Sequence, residues 1–234
     1  MIPLHDANPT RRVPVVTRLL LFTNVVLWLY ALNLSRQAGA MEALYDQYAF
    51  DWTSFTSALT GGTATVATFV PLITHQFLHG GWLHVLGNML YLWIFGDNVE
   101  DAMGSGPFLA FYLVCGIIAA IGQGLLAPAP MVGASGAIAG VLGAYLVMFP
   151  TTRVATLVFL GLFITVIELP ALIVIGMFVV LQIIEGVAEL RLAGHPATAQ
   201  VAYLAHVFGF VAGLLLLPLF RRNGASRRVR TGWG

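Results

Sequence analysis

Residues 102–152 read AMGSGPFLAFYLVCGIIAAIGQGLLAPAPMVGASGAIAGVLGAYLVMFPTT, without one charged side chain. A helix crosses a bilayer with about 20 apolar residues. This stretch therefore holds two spans, Pro107–Leu126 and Ala134–Phe149, separated by Pro128 and Pro130. Residues 52–96 and 192–220 are uncharged as well. Across the 234 residues, 9% are charged and 59% hydrophobic, where a soluble domain carries roughly 25% charged residues. So few charges cannot cover a water-facing surface, which excludes a soluble enzyme and a disordered chain. Cys115 is the only cysteine, which excludes a secreted disulfide scaffold and a cysteine metal cluster. A net charge of +1 gives no reason to expect nucleic acid.

Working outward, four more spans are expected. Val15–Leu34 follows Arg11 and Arg12 and reads as a retained helix, not a cleaved leader. Trp82–Phe95 is closed by Asp97, Glu100 and Asp101. Pro170–Glu189 starts on a proline suited to a first helical turn. Val201–Phe220 follows a break at Gly194–His195–Pro196. The expected fold is an all-α, polytopic bundle of six transmembrane helices. It forms one membrane domain over residues 1–234, with short cytoplasmic tails at about 1–14 and 221–234. Ser35 to about Thr68, rich in aromatics, is expected to lie in the membrane interface. Arg153–Pro170 reads as a surface-lying or strand-like connection.

Six spans put both ends on one side. The positive-inside rule makes that side cytoplasmic, from Arg11, Arg12 and Arg18 at one end and Arg221, Arg222, Arg227, Arg228 and Arg230 at the other. Arg153 agrees and Arg191 dissents. An integral, multi-pass protein of a bacterial-type cytoplasmic membrane is expected.

Polar side chains inside a bilayer are costly and read by default as functional. His84, Asn88, Ser135 and His206 all fall within about two turns of the outer ends of the second, fourth and sixth spans. Ser135 lies in Gly133-Ala134-Ser135-Gly136, where a proline-broken loop enters a helix. The free N–H groups of a helix start favour an anion there. Alone, this tetrapeptide is an ordinary packing motif. His206 changes its meaning, because a serine nucleophile needs a base in reach. Gly136, Gly140 and Ala144 on one helix, and Ala205, Gly209 and Gly213 on the other, form ridges on which two backbones can approach closely. A Ser135–His206 dyad follows, with no acid evident as a third member; Glu168 and Glu185 belong to other parts of the bundle. His84 and Asn88, four apart on one helix face, suit an oxyanion site; a polar clamp between helices is the alternative. His75 and His79 have a spacing that suits zinc, but no acid accompanies them. They are expected to be satisfied by each other, by the interface or by a loop carbonyl, and no metal or cofactor is expected. A transporter would show internal repeats or paired broken helices, and neither is present.

Three blocks together resemble the rhomboid intramembrane serine proteases. The first is His79-Gly-Gly-Trp-Leu-His84-Val-Leu-Gly-Asn88-Met-Leu, continuing through Phe95-Gly96-Asp97-Asn98-Val99-Glu100 to Gly104-Ser105-Gly106. The second is Gly133-Ala134-Ser135-Gly136-Ala137. The third is Ala205-His206-Val207-Phe208-Gly209-Phe210-Val211-Ala212-Gly213. The resemblance covers nearly the whole chain. It implies Ser135 as nucleophile, His206 as general base, and His84, Asn88 and the Ser135 backbone N–H around the oxyanion. It also implies a structural turn at Glu100, Gly104 and Gly106. Partners would be the lipid bilayer and transmembrane protein substrates, cut in or near the span and often at small residues; oligomeric state is not legible. Many members carry Trp-Arg in the loop before the second span, whereas here Phe69-Val70-Pro71-Leu72 leads into Ile73-Thr74-His75.

Overall fold

A computed structural model describes residues 1–161, 163–192 and 201–222. The Gly194–His195–Pro196 break and Arg227, Arg228 and Arg230 lie outside the described residues. The chain begins with strand β1 (Ile2–Asp6), followed by helix α1 (Val15–Leu34). Short helices come next: α2 (Ala40–Tyr48), α3 (Trp52–Thr60), α4 (Val66–Phe69) and α5 (Pro71–Thr74), the last running into a 3₁₀ turn at His75–Phe77. The long helices α6 (Trp82–Met103) and α7 (Ser105–Leu126) and the shorter α8 (Ser135–Met148) follow. Strands β2 (Arg153–Leu160) and β3 (Phe163–Pro170) precede α9 (Ala171–Leu192) and α10 (Tyr203–Phe220).

The protein is mostly helical, and it is an integral membrane protein. Among the described residues, four helices are long and apolar enough to cross a bilayer: Val15–Leu34, Ser105–Leu126, Ala171–Arg191 and Tyr203–Phe220. Val66–Phe77 and α8 are shorter apolar segments. Outward-facing residues on these helices, such as Phe22, Leu125, Leu172, Val180 and Leu215, are exposed and apolar, as lipid rather than water requires.

The expectation of an all-α chain is corrected. β1, β2 and β3 form one antiparallel sheet in that order, with Ile2 opposite Leu157 and Arg153 opposite Pro170. β-branched and aromatic residues drive the β2–β3 hairpin, and Gly161 turns it at φ +62°. The hairpin base closes where Ala171 N–H donates to Thr152 O at 2.8 Å. The strand-like alternative for 153–170 is the one realised. The segment read as an N-terminal tail supplies the first strand.

The end of the molecule away from the candidate site is fastened by polar contacts. The buried Glu100 carboxylate accepts from Val16 N–H (3.0 Å), Thr17 N–H (2.7 Å), the Thr17 hydroxyl (2.8 Å) and the Ser105 hydroxyl (2.6 Å). It thus caps the otherwise unpaired N–H groups at the start of α1 and pins the α6–α7 turn. Gly104 makes that turn at φ +87°, a conformation that favours glycine. Asp6 accepts from Tyr145 of α8 and, at 3.2 Å, from the Asn98 amide, which ties the sheet to the bundle. The core between these ends is built on Phe95, Phe108, Phe111, Tyr112, Leu142 and Tyr145.

Candidate active site

A helix pair in backbone-to-backbone contact carries the candidate dyad. The Gly136 and Gly140 carbonyls of α8 lie so near α10 that a Cβ on Gly209 or Gly213 would come within 2.0 Å of them. The two small-residue ridges therefore meet backbone to backbone. Ser135 is the first residue of α8 and His206 lies in the first turn of α10. The Ser135 hydroxyl and His206 Nε2 are 2.6 Å apart. Phe178 of α9 and Tyr203 of α10 flank the imidazole, at ring-centre distances of 6.1 and 6.3 Å.

The loop into α8 sets the serine's surroundings. Gly133 adopts φ +130°, and its N–H donates to His75 O at 2.8 Å. A Cβ there would lie 2.6 Å from His84 Nε2 and 3.6 Å from the Ser135 hydroxyl. Glycine at 133 thus leaves open the space that His84, Ser135 and the start of α8 share. The Gly80 N–H points at His84 Nδ1, 3.5 Å away, which leaves Nε2 to carry the proton and to serve as a donor. Asn88, one turn along α6, is buried, and its Nδ2 has no partner among the described residues. The Asn88 amide therefore stands as a donor without an acceptor among the described residues, beside the His84 imidazole.

His75 donates through Nδ1 to the carbonyl of Pro71, the first residue of α5, at 2.7 Å, so the partner is the preceding helical turn and not a loop. His79 is buried and neither ring nitrogen has a partner among the described residues; its ring packs edge-on against His84 with centres 5.1 Å apart. His75 and His79 are thus not bonded to each other. Among the described residues no group of three or more His, Cys, Asp or Glu side chains is placed to hold a metal ion.

Three polar residues were missed by the sequence reading. Gln182 of α9 accepts from His206 Nδ1 through Oε1 at 2.5 Å. Gln123 of α7 accepts from Ala205 N–H at 2.9 Å and donates to Glu189 of α9 at 2.6 Å. Glu189 also accepts from Leu204 N–H at 3.3 Å. Together Gln123 and Glu189 cap the start of α10, one and two residues before His206. The available signal was a lone amide in each of two apolar spans, which deserved the same reading as the histidines. A cavity of ≈ 90 Å³, lined by His84, Gln123, Met131, Val132 and Glu189, adjoins this cluster. The loops framing it are joined by a two-way backbone bridge between Phe50 and Met131, at 2.9 and 3.1 Å.

Residues 66–223 match the model of the Rhomboid domain. The chain belongs to the rhomboid family. Its relatives include the rhomboid protease GluP of Bacillus subtilis, 45% identical over 35% of this chain and 16% of that protein. The rhomboid protease GlpG of Yersinia pestis is 28% identical over 65% of this chain and 49% of that protein. The human presenilin-associated rhomboid-like protein of mitochondria is 33% identical over 44% of this chain and 28% of that protein. The chain spans less than half the length of each of these curated relatives. The matched rhomboid region contains all four polar positions, His84, Asn88, Ser135 and His206.

Proposed function

We propose that this rhomboid is an intramembrane serine endopeptidase that cuts membrane proteins in or near their transmembrane segments, through a Ser135–His206 dyad and an acyl-enzyme. The observation that carries the reading is the 2.6 Å contact between the Ser135 hydroxyl and His206 Nε2. Nucleophile and base within hydrogen-bond reach are the first requirement of this chemistry. His206 takes the serine proton as the hydroxyl attacks the substrate carbonyl. The new oxyanion draws on His84 Nε2–H, the Asn88 amide and the N–H of Ser135 at the start of α8. His206 then hands its proton to the leaving amine, and water resolves the acyl-enzyme. The ≈ 90 Å³ cavity beside His84 supports a local supply of that water. The curated relatives named as rhomboid proteases support the same activity.

The same reading takes six spans: α1, α6, α7, α8, α9 and α10. Arg11, Arg12, Arg18, Arg153, Arg221 and Arg222 gather at one end of the bundle, against Arg36 and Arg191 at the other, which supports cytoplasmic termini. Ser135 then opens toward the extracytoplasmic side. α8 has 14 residues, about 21 Å of helix, against a hydrocarbon core of about 30 Å. With α8 reaching the inner boundary, that shortfall supports a Ser135 recessed below the outer one.

The test is cleavage of a single-span substrate by the protein in liposomes. Ser135→Ala and His206→Ala are each expected to abolish turnover with folding retained. Turnover near wild type in either folded variant would end the dyad reading.

A further inference from the structure

We infer that Gln182 of α9 is a positioning residue for His206, holding its imidazole in the tautomer and orientation that leave Nε2 free to accept the Ser135 proton. The inference rests on the Ser135–His206 reading and extends it to a third side chain, on a different helix.

A neutral imidazole carries one proton, on Nδ1 or on Nε2. Only the Nδ1–H form can act as a base toward Ser135 through Nε2. That form is held when an acceptor faces Nδ1, and the Gln182 Oε1 does so at 2.5 Å. Among the described residues, the groups that meet His206 are Ser135 from α8, Phe178 and Gln182 from α9, Tyr203 from its own helix, and His84 from α6, and none of these is a carboxylate. Glu189, two turns beyond Gln182, is engaged with Gln123 and the Leu204 N–H instead. The orienting role an acid plays in a Ser-His-Asp triad falls here to an amide, which fixes direction without adding charge.

The placement of Gln182 is not incidental to α9 packing. The side of α9 that faces the bundle runs through Val174, Ile175, Phe178, Gln182, Gly186 and Glu189. Its first members are apolar. An amide among them, inside a membrane helix, is costly unless it finds a partner. Its partner is the candidate base. Phe178, one turn earlier, lies against the same imidazole, so α9 fixes both the plane and the proton of that ring.

The experiment uses the full chain in liposomes, with a fluorogenic single-span substrate and ¹⁵N-histidine NMR of the same preparations, His206 being assigned by its loss in His206→Asn. Two variants are compared. Gln182→Leu removes the acceptor, and Gln182→Glu keeps it and adds charge. Gln182→Leu is expected to lower kcat roughly 10- to 100-fold, the scale of one or two lost hydrogen-bond energies, with KM little changed. Its His206 signal is expected to lose the Nδ1–H tautomer. Gln182→Glu is expected to keep the Nδ1–H form and a plateau rate within a few fold of wild type. The acidic limb of its rate profile is expected to move to higher pH by about one unit, because an adjacent carboxylate favours the imidazolium. A purely structural tie between helices predicts loss of thermal stability with an unmoved tautomer and limb, and that result would overturn the inference. If Gln182→Leu does not fold, the isosteric Gln182→Glu decides alone by its limb and tautomer. A wild-type protein that neither cleaves substrate nor reacts at Ser135 would sink the protease reading, while the tautomer signal still judges the Gln182–His206 bond.

Discussion

A single methyl group at Gly209 should disarm this rhomboid from three residues beyond the candidate base. The Cβ of Gly209→Ala would lie 2.0 Å from the Gly136 carbonyl oxygen, where ordinary contact begins at 3.4 Å. The obstacle is backbone, not a side chain that can swing away. About 1.4 Å must come from parting α8 and α10. Ser135 directly precedes Gly136, and His206 sits three residues before Gly209, so the parting falls on the 2.6 Å Ser135–His206 contact. Opened to about 4 Å, that contact is no longer a hydrogen bond. Misplacement by about 1 Å costs on the order of 10²-fold in rate, and overpacking of this kind costs about 1–3 kcal/mol of stability. Gly213→Ala meets the Gly140 carbonyl at the same 2.0 Å but one turn deeper. It should cost comparable stability and less rate. Gly176→Ala on α9, where a Cβ meets nothing within 4 Å, is the control. The assay is kcat on a single-span substrate in liposomes, paired with thermal unfolding in detergent. Wild-type kcat in Gly209→Ala, or a larger rate loss in Gly213→Ala, would refute the reasoning.

Asn88→Ala should lower kcat about 10²–10³-fold with KM little changed, the cost of one oxyanion donor; a variant that chiefly loses thermal stability would instead make Asn88 a clamp between helices. Burial pushes the Asp6 carboxyl up from 3.8 to about 6, against the Tyr145 hydrogen bond that lowers it. A raised folded-state value contributes stability that is complete below pH 3.8 and is lost as pH climbs through about 6. Asp6→Asn, which keeps a neutral oxygen for Tyr145, should therefore melt higher than wild type at pH 7, with the gap closing below pH 4; a gap independent of pH would show that ionisation of Asp6 is not its source. With buried Cys115 replaced by alanine, Ser135→Cys should react with a membrane-impermeant thiol reagent added from outside to spheroplasts. Reaction only from the cytoplasmic face would reverse the proposed topology.

Much of this site was legible because polar residues stand out in lipid. His84, Asn88, Ser135 and His206 each break an apolar helix, and their shared depth already grouped them. The glycine ridges were legible for a similar reason: four-residue spacing marks one helix face, and the structure brings Gly136 and Gly140 against Gly209 and Gly213. The sheet was not. β1 is five residues with Pro3 inside it, a poor strand in isolation. It forms because β2 offers an edge far along the chain, with Ile2 opposite Leu157, a pairing no local pattern encodes. Gln182 was not legible because the usual orienting partner of a catalytic imidazole is an acid. What Nδ1 needs is an acceptor, and an amide oxygen supplies one as well. Glu100 read as the close of a span and, by resemblance, as part of a structural turn; its cap on α1, from more than 80 residues along the chain, was not legible.

The most direct measurement is covalent. The reconstituted protein is treated with a fluorophosphonate probe, which phosphonylates only an activated serine, and the adduct is located by peptide mass spectrometry. The account predicts one adduct, on Ser135, absent from Ser135→Ala and strongly reduced in His206→Ala. A folded, substrate-cleaving protein with no adduct at Ser135, or with Ser135 labelled equally well in His206→Ala, would contradict it.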